Sequence, residues 1–243
     1  SDDIICYGHN DEDHLKNLRA LFQRIRETGL TLNGDKCQFG KSSIEFFGHT
    51  FSQKGLQPSS SKLEAILKMD APRNSTEVRS LLGMANYCGQ RFTKDYSSIT
   101  HELRELTKVD VPFKWEERHQ RALDRLKEAL ANTTTLQYFD PGKESEVYVD
   151  ASPVGISAIL MQKEPDSELR SYVHFASRAL TPTEQRYSQI EREALAVVWA
   201  CEHLNMYLYG SNFKVVTDHK PLLALFNNAL SKPSARIQGW ALR

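Results

Sequence analysis

Residues 146–162 read EVYVDASPVGISAILMQ, and the architecture of the second half of the chain follows from this stretch. Apolar and polar residues alternate from Glu146 to Asp150 and again over 156–162, which is the period of a half-buried β-strand. The residues SPVG at 152–155, which join these runs, include proline and glycine, which favour a turn. The stretch therefore predicts a β-hairpin whose first strand ends at Asp150.

The segments that follow complete a sheet. Residues 172–176 predict a third strand and residues 213–217 a fourth. Between them, the capping box TPTE at 181–184 opens a helical region, and a long apolar helix is predicted over about 190–208. A further helix is predicted over 222–226. The order strand, strand, strand, helix, strand, helix predicts a mixed α/β sheet with a crossover helix.

Three acidic residues occupy three different settings in this predicted fold. Asp150 and Asp218 each end a strand, and Glu193 lies inside the long helix. The end of a strand and the face of a helix packed on the sheet converge in α/β sites. Hard divalent cations prefer clustered oxygen ligands, and a pair of them about 4 Å apart can clamp the attacking and leaving oxygens of a phosphodiester. The pattern therefore indicates metal-dependent hydrolysis of nucleic acid.

Each acid also has a purely structural interpretation. Asp150 would cap a turn, Glu193 would be a solvated helix charge, and Asp218 would cap the next helix. Glu191 competes with Glu193 as the functional acid. The positions three, four, seven and eleven after Glu193 are small or apolar, so Glu193 shares the helix face that lies against the sheet. A carboxylate on that face needs a cation beside it, and the three settings together favour a metal site.

The composition is that of an ordinary folded protein, with 40% hydrophobic and 26% charged residues over 243 positions, enough for two modest domains. Basic and acidic residues balance at 31 each, so excess positive charge is no argument for a nucleic-acid partner. The four cysteines are scattered without a C-x-x-C pair, which predicts free thiols. No apolar run is long enough to cross a bilayer and no signal pattern opens the chain, so we expect an intracellular protein without a membrane partner.

The first part of the chain is predicted to be mixed. Residues 4–7 predict a strand already in progress, as though the chain were cut from a longer one. An Asn10 cap starts a helix that Gly29 ends, and a β segment begins over 30–32. A hairpin is predicted between residues 44 and 56.

The next part is predicted to be helical. Amphipathic spacing predicts short helices near 63–67, 78–85 and 99–106, which together make a small helical subdomain over 59–110. Another amphipathic helix is predicted over 115–130 and leads into the sheet.

The second half carries further motifs around the three acids. They are VDAS at 149–152 with Gly155, YS at 187–188 leading to EALAVV at 193–198, YLYG at 207–210, and TDHKPL at 217–222. Together they resemble the ribonuclease H domain of gypsy-type long-terminal-repeat retrotransposons. By this resemblance Asp150, Glu193 and Asp218 bind two magnesium ions and cleave RNA paired to DNA. His219 would assist, or would serve as an ordinary hydrogen-bonding residue.

The first half carries the motifs SDD at 1–3, GLTLN at 29–33 with KC at 36–37, FFGH at 46–49 and LLGMANY at 81–87. These resemble the end of the reverse transcriptase that precedes this ribonuclease H in the same polyprotein. The resemblance implies that Asp2 and Asp3 bind magnesium and polarise a primer hydroxyl. Lys36 would approach the phosphates of the incoming nucleotide, or be a solvated surface lysine. The hairpin that grips the primer end would use Phe46, Phe47 and Gly48.

The resemblance implies an α/β (α+β) chain in three parts. These are the C-terminal part of a reverse transcriptase palm over 1–58, a helical thumb or connector over 59–112, and a ribonuclease H domain over 113–243. The implied cofactor is Mg²⁺, with Mn²⁺ as an alternative. The implied partners are an RNA–DNA hybrid, template-primer nucleic acid and, in the full-length protein only, deoxynucleotides. The implied location is the cytoplasm, a virus-like particle or the nucleus.

Departures from the family's pattern bear on activity. The fingers, the upstream palm and an earlier catalytic aspartate would precede residue 1, so we expect no DNA synthesis by these 243 residues. A fourth ribonuclease H acid would follow Arg243, so that domain is expected to be truncated. One rival hypothesis is a catalytically inactive remnant that binds nucleic acid, which the three acids disfavour. Another is an integrase-like nuclease, in which the last acid falls on a later helix.

Overall fold

The computed structural model describes residues 3–164, 167–222 and 234–241. Within these ranges the chain forms a three-stranded sheet and a four-stranded sheet, with helices between and around them. The mixed α/β (α+β) class expected from the sequence is confirmed. No helix in the described ranges combines the length and the hydrophobicity that crossing a bilayer requires.

The chain opens with irregular backbone and one long helix, α1 (Asp11–Thr28). The Asn10 side chain accepts a hydrogen bond from the first turn, and Gly29 ends the helix at φ 70°, a left-handed conformation that glycine adopts without steric cost. Both predicted caps are confirmed. The strands predicted over 4–7 and 30–32 are wrong: neither segment has a neighbouring strand among the described residues, and a strand forms only as part of a hydrogen-bonded ladder.

Three short strands form an antiparallel meander: β1 (Ser43–Phe46), β2 (His49–Ser52) and β3 (Gly55–Pro58). The predicted hairpin is confirmed as the β2–β3 pair. A second tight turn joins β1 to β2 through Phe47 and Gly48, where the family resemblance of the FFGH motif implies a hairpin. Both residues have positive φ, 48° and 72°, as the two central residues of a type I′ hairpin turn do.

The helical part follows, with α2 (Ser60–Leu67), α3 (Ser75–Gly89), α4 (Tyr96–Ile99), α5 (His101–Glu105) and α6 (Glu117–Ala131). The helices predicted in this region are confirmed, the one near 99–106 as the two short helices α4 and α5. Their apolar faces meet in one core, formed by Ile66, Val78, Leu81, Leu103, Leu123, Leu126 and Leu130. Helix α6 packs with the helices before it, and the domain boundary placed at residue 112 stays a prediction.

The second sheet contains β4 (Ser145–Ala151), β5 (Gly155–Lys163), β6 (Arg170–Ala179) and β7 (Phe213–Val216) in the order β6-β5-β4-β7. Strand β4 is antiparallel to β5 and parallel to β7. The hairpin predicted from residues 146–162 is therefore confirmed, and so is the mixed sheet. Because β4 and β7 are parallel neighbours, their carboxyl ends lie at the same edge of the sheet.

Helix α7 (Gln189–His203) makes the crossover between β6 and β7 and is followed by α8 (Asn205–Leu208). The single helix predicted over 190–208 is thus broken at Leu204, whose side chain is buried in the core under the sheet. The capping box at 181–184 forms, yet it opens only a 3₁₀ turn, Glu184–Arg186. The helix predicted over 222–226 lies outside the described residues except at Leu222. A last helix, α9 (Ala235–Ala241), packs against α7.

A shared core joins the meander to the second sheet. Leu56 of β3 and Leu136 exchange two backbone hydrogen bonds, of 2.8 and 2.9 Å. Their side chains pack with Phe92 and Phe175. Farther along, the Ser97 amide at the start of α4 donates to Oγ of a serine on β6 at 3.0 Å. The helical part therefore rests directly on the sheet, and α4 lies beside the turn between β4 and β5.

Candidate active site

Asp150, Glu193 and Asp218 come together at one edge of the second sheet. Each offers a carboxylate oxygen, and these three atoms lie within 4.8 Å of one another. Asp150 stands near the end of β4, and Asp218 follows the end of its parallel neighbour β7. Glu193 reaches the same point from α7, which packs on β4 and β5. The convergence expected from the sequence is thus present in the fold.

Glu193 is the buried member of this group, with only 3% of its surface exposed, whereas Asp150 and Asp218 are exposed. Its Oε1 accepts a hydrogen bond of 2.6 Å from Gln189 Nε2. Its Oε2 is buried and has no hydrogen-bond partner among the described residues. Burial, together with the negative charges of Asp150 and Asp218, raises the pKa of Glu193 from 4.5 to about 7 against the opposing effect of the Gln189 hydrogen bond.

This arrangement fits a divalent cation. A buried carboxylate oxygen without a partner costs free energy unless a cation or a hydrogen-bond donor compensates it. Three carboxylate oxygens within 4.8 Å form the all-oxygen ligand set that hard cations prefer. The exposed positions of Asp150 and Asp218 leave one side of the cluster open to solvent, so a ligand can reach it.

The structural roles considered for Asp150 and Glu193 do not apply, because another residue closes the turn after β4 and Glu193 is buried instead of solvated. The capping role considered for Asp218 stays an alternative. The turn between β4 and β5 is closed by Ser152, whose Oγ accepts from the backbone amide of Gly155 at 2.9 Å. Glu191 is occupied at the start of α7, where it accepts hydrogen bonds from Ser188 and from Arg236. Glu191 therefore caps its own helix and is absent from the metal-ligand cluster, while Glu193 joins it.

The sequence prediction missed residues from the helical part that approach this site. A cavity of about 110 Å³ is lined by Asp95, Ser98, Asp150, Ser152, Gly155 and Ser157. Asp95 Oδ1 accepts a 2.6 Å hydrogen bond from Ser157 Oγ, and the hydroxyl groups of Ser98 and Ser152 lie 2.9 Å apart. No local pattern signals these contacts, because the partners are more than fifty positions apart in the chain. Gln189 was also missed, although its place one helical turn before Glu193 is a readable signal.

The predicted polymerase residues lie elsewhere. Asp2 falls outside the described residues, and Asp3 is exposed on irregular backbone. Lys36 is exposed on the 3₁₀ turn Gly34–Lys36. Among the described residues, neither Asp3 nor Lys36 belongs to a cluster of metal-binding side chains. Their predicted roles stay predictions.

Phe46, Phe47 and Gly48 lie together at the turn between β1 and β2. Phe47 is half exposed, and its ring meets the ring of Phe46 edge-on at 4.5 Å. A positive φ is costly for phenylalanine, and such strained residues concentrate at functional sites. The fold thus presents an aromatic ring at a tight turn, and its role in holding a primer stays a prediction.

His219 follows Asp218 and is partly buried. Its backbone amide donates to Thr217 Oγ1 at 3.1 Å. Its side chain is not part of the cluster formed by the three acids. The assisting role proposed for His219 stays a prediction.

Comparison with known proteins gives two matching family models. Residues 1–51 match the model described as reverse transcriptase (RNA-dependent DNA polymerase). Residues 115–215 match the model described as RNase H-like domain found in reverse transcriptase. The second match contains Asp150 and Glu193, and Asp218 lies three positions beyond its end.

The similar curated proteins are transposon polyproteins. The retrovirus-related Pol polyprotein from transposon 412 of Drosophila melanogaster is 36% identical over 236 residues, which is 97% of this chain and 19% of that polyprotein. The transposon Tf2-3 polyprotein of Schizosaccharomyces pombe is 30% identical over 243 residues, which is 99% of this chain and 18% of that polyprotein. The chain thus spans about a fifth of the length of the curated relatives it matches.

Solved structures share the fold. The foamy viral protease-reverse transcriptase dRH in complex with double-stranded DNA aligns with a TM-score of 0.79 and 23% identity, covering 97% of this chain and 42% of that one. The foamy viral protease-reverse transcriptase in complex with an RNA/DNA hybrid aligns with a TM-score of 0.77 and 22% identity, covering 96% of this chain and 32% of that one.

Proposed function

This chain belongs to the reverse transcriptase and ribonuclease H region of retrotransposon Pol polyproteins, and on that basis we propose that its second sheet carries a ribonuclease H site that hydrolyses RNA paired to DNA. The observation that carries the proposal is the convergence of Asp150, Glu193 and Asp218 within 4.8 Å, with a buried oxygen of Glu193 left without a partner. A buried carboxylate oxygen without a hydrogen-bond partner costs free energy, which a bound cation would offset.

The three acids would have different roles in cation binding, according to how exposed each one is. When bound, a pair of divalent cations would supply an activated water and stabilise the leaving oxygen of the phosphodiester. Asp150 and Asp218 are open to solvent and would hold cations where a nucleic-acid backbone can approach. Glu193, which is shielded from water, would bind the cation from the buried side of the cluster. We propose Mg²⁺ as the working ion and Mn²⁺ as its substitute, because all the ligands are carboxylate oxygens.

The proposed partners are an RNA–DNA hybrid and template-primer nucleic acid. Support comes from the foamy viral proteins of the same fold, which were solved with double-stranded DNA and with an RNA/DNA hybrid. The turn that carries Phe47 and Gly48 offers an exposed ring to such a partner. Because neither half of the chain carries excess positive charge, binding would depend on local contacts of this kind.

For the full-length polyprotein we propose RNA-directed DNA polymerase activity, with Asp2 and Asp3 as metal ligands and deoxynucleotides as substrates. The reverse transcriptase match in this chain covers residues 1–51. We expect no primer extension by the 243 residues alone. Appreciable DNA synthesis by this chain would refute that expectation.

The ribonuclease H proposal is tested by incubating the chain with a labelled RNA–DNA hybrid and Mg²⁺. We expect cleavage of the RNA strand, and loss of cleavage in Asp150→Asn. Asp124→Asn is the matched control, because Asp124 is an exposed aspartate on α6 whose carboxylate accepts a hydrogen bond from Gln120 of the same helix. An RNA strand that survives wild-type protein, or equal cleavage by Asp150→Asn, would contradict the proposal. Hybrid binding without cleavage would favour the inactive remnant instead.

A further inference from the structure

Gln189 lies at the start of α7, one helical turn before Glu193. We propose that Gln189 is a positioning residue, which holds the Glu193 carboxylate so that one of its oxygens stays available to a divalent cation. The inference rests on the proposed function, since it assigns Glu193 to a metal site. It concerns how tightly this site binds the cation.

The amide of Gln189 makes two donor contacts from one nitrogen. Its Nε2 donates to Glu193 Oε1 at 2.6 Å and to the backbone carbonyl of Ala151 at 3.2 Å. An amide nitrogen has two hydrogens, so both contacts can be made at once. Ala151 follows Asp150 on β4. Gln189 therefore ties α7 to the end of the strand that carries another member of the cluster.

Arg192 determines which way the Gln189 amide faces. Its Nη2 donates to Gln189 Oε1 at 2.6 Å, and its Nη1 donates to the carbonyl of Gln185 at 3.3 Å. A guanidinium group only donates hydrogen bonds, so it requires the amide oxygen on its side. The amide nitrogen must then face Glu193. The three side chains form a directed series from Arg192 through Gln189 to Glu193.

As a result, the two carboxylate oxygens of Glu193 have different surroundings. Oε1 is held by Gln189, and Oε2 is buried without a partner among the described residues. Without the Gln189 donor the carboxylate would be free to rotate, and its oxygens would no longer be held in position for a cation. Hydrogen-bond partners that orient metal ligands typically alter metal affinity or activity by about 10- to 100-fold.

The test compares Gln189→Met with Gln23→Met. Methionine is close to glutamine in length but donates no hydrogen bond. Gln23 is an exposed glutamine on α1 that donates to Glu27 four residues later at 3.0 Å, so its variant loses the same kind of bond far from the acids. Mn²⁺ binding is measured by electron paramagnetic resonance on the full chain, and thermal unfolding is measured in EDTA.

We expect Gln189→Met to bind Mn²⁺ about 10- to 100-fold more weakly than wild type, with an unchanged unfolding midpoint in EDTA, and Gln23→Met to bind like wild type. Equal Mn²⁺ affinity in all three proteins would overturn the proposal. So would a wild-type chain that binds no Mn²⁺, or a Gln189→Met chain whose loss of affinity is matched by a lower unfolding midpoint. If wild type binds Mn²⁺ as expected but cleaves no hybrid, the ribonuclease H proposal fails while this one stands.

Discussion

The ionised Glu193 side chain destabilises the folded chain, and its hydrogen bonds do not fully compensate for its burial. The side chain is buried beside two further carboxylates, and only one of its oxygens is hydrogen-bonded within the described residues. In the absence of a cation the buried Glu193 carboxyl group holds a proton more tightly than usual, and its pKa is therefore raised to about 7. A metal site that is destabilising when empty couples cation binding to stability, because the cation binds only the folded arrangement.

The first prediction concerns this coupling. In EDTA, the free energy of unfolding should fall by on the order of 3 kcal/mol as the pH rises from 4.5 to about 7. The folded chain keeps a proton on Glu193 that the unfolded chain releases, so its stabilising effect is complete below 4.5 and lost above 7. The measurement is urea unfolding of wild type and Glu193→Gln across this range.

The difference between the two proteins isolates Glu193 from the other titrating groups. Glu193→Gln should lack this part of the pH dependence, since a glutamine does not ionise. Added Mg²⁺ above pH 7 should stabilise wild type and leave the variant unchanged. Two parallel stability profiles in EDTA would show that Glu193 has an ordinary environment.

At the scale of single elements, the β1–β2 turn depends on one glycine. Gly48 has φ 72°, and a Cβ atom built there would lie 2.6 Å from Cε1 of the Tyr87 ring on α3. The turn thus packs against α3 because residue 48 lacks a side chain. Phe47 accepts the neighbouring positive φ and stays half exposed, so the turn geometry determines where its ring is presented.

The second prediction compares two alanine substitutions. Gly48→Ala should destabilise the chain by roughly 1 to 3 kcal/mol, because the strained φ and the contact with Tyr87 both oppose a Cβ. Gly83→Ala, inside α3 with open space around its Cβ position, should stabilise it by about 0.5 to 1 kcal/mol through helix propensity. Chemical unfolding of both variants checks the opposite signs. A neutral Gly48→Ala would mean that the turn is not held against α3.

At the scale of the whole molecule, the meander, the helices and the second sheet form one continuous body. Leu56, Leu136, Phe92 and Phe175 make a small core where these parts meet. Polar contacts extend the junction to the candidate active site, since Asp95 bonds to Ser157 on β5. The packing between these parts therefore determines where the turn at Phe47 and Gly48 lies relative to the three acids.

The third prediction concerns this junction. Leu136→Ala should cost roughly 2 to 5 kcal/mol of unfolding free energy, because Leu136 is fully buried and its loss leaves a cavity. It should also loosen β2 and β3 more than β4 and β5, which hydrogen exchange followed by mass spectrometry can resolve. Leu160→Ala is the control, because Leu160 is equally buried but lies in the core under the second sheet. Equal loss of protection in β3 for both variants would contradict a specific junction.

The sequence by itself determined the elements and their caps. The hairpin over 146–162, helix α1 between Asn10 and Gly29, and the helices of the middle part were predicted because periodicity and capping act over a few neighbouring residues. The strands predicted over 4–7 and 30–32 were wrong because strand formation depends on residues elsewhere in the chain. A strand depends on a partner, and apolar composition cannot supply one.

The sequence already favoured Asp150, Glu193 and Asp218, and the tertiary structure decided how close their carboxylates come and what Glu191 does instead. Glu191 and Glu193 are two positions apart, but the first turns to cap α7 while the second faces the sheet and meets Asp150 and Asp218. The contact of Asp95 with this region had no signal in the sequence at all. Helix periodicity and capping depend on residues close together in the sequence, so the sequence alone predicts them. A metal site depends on distances between residues that are far apart in the sequence, and on which buried oxygens lack hydrogen-bond partners in the folded chain. Only the tertiary structure gives these two properties.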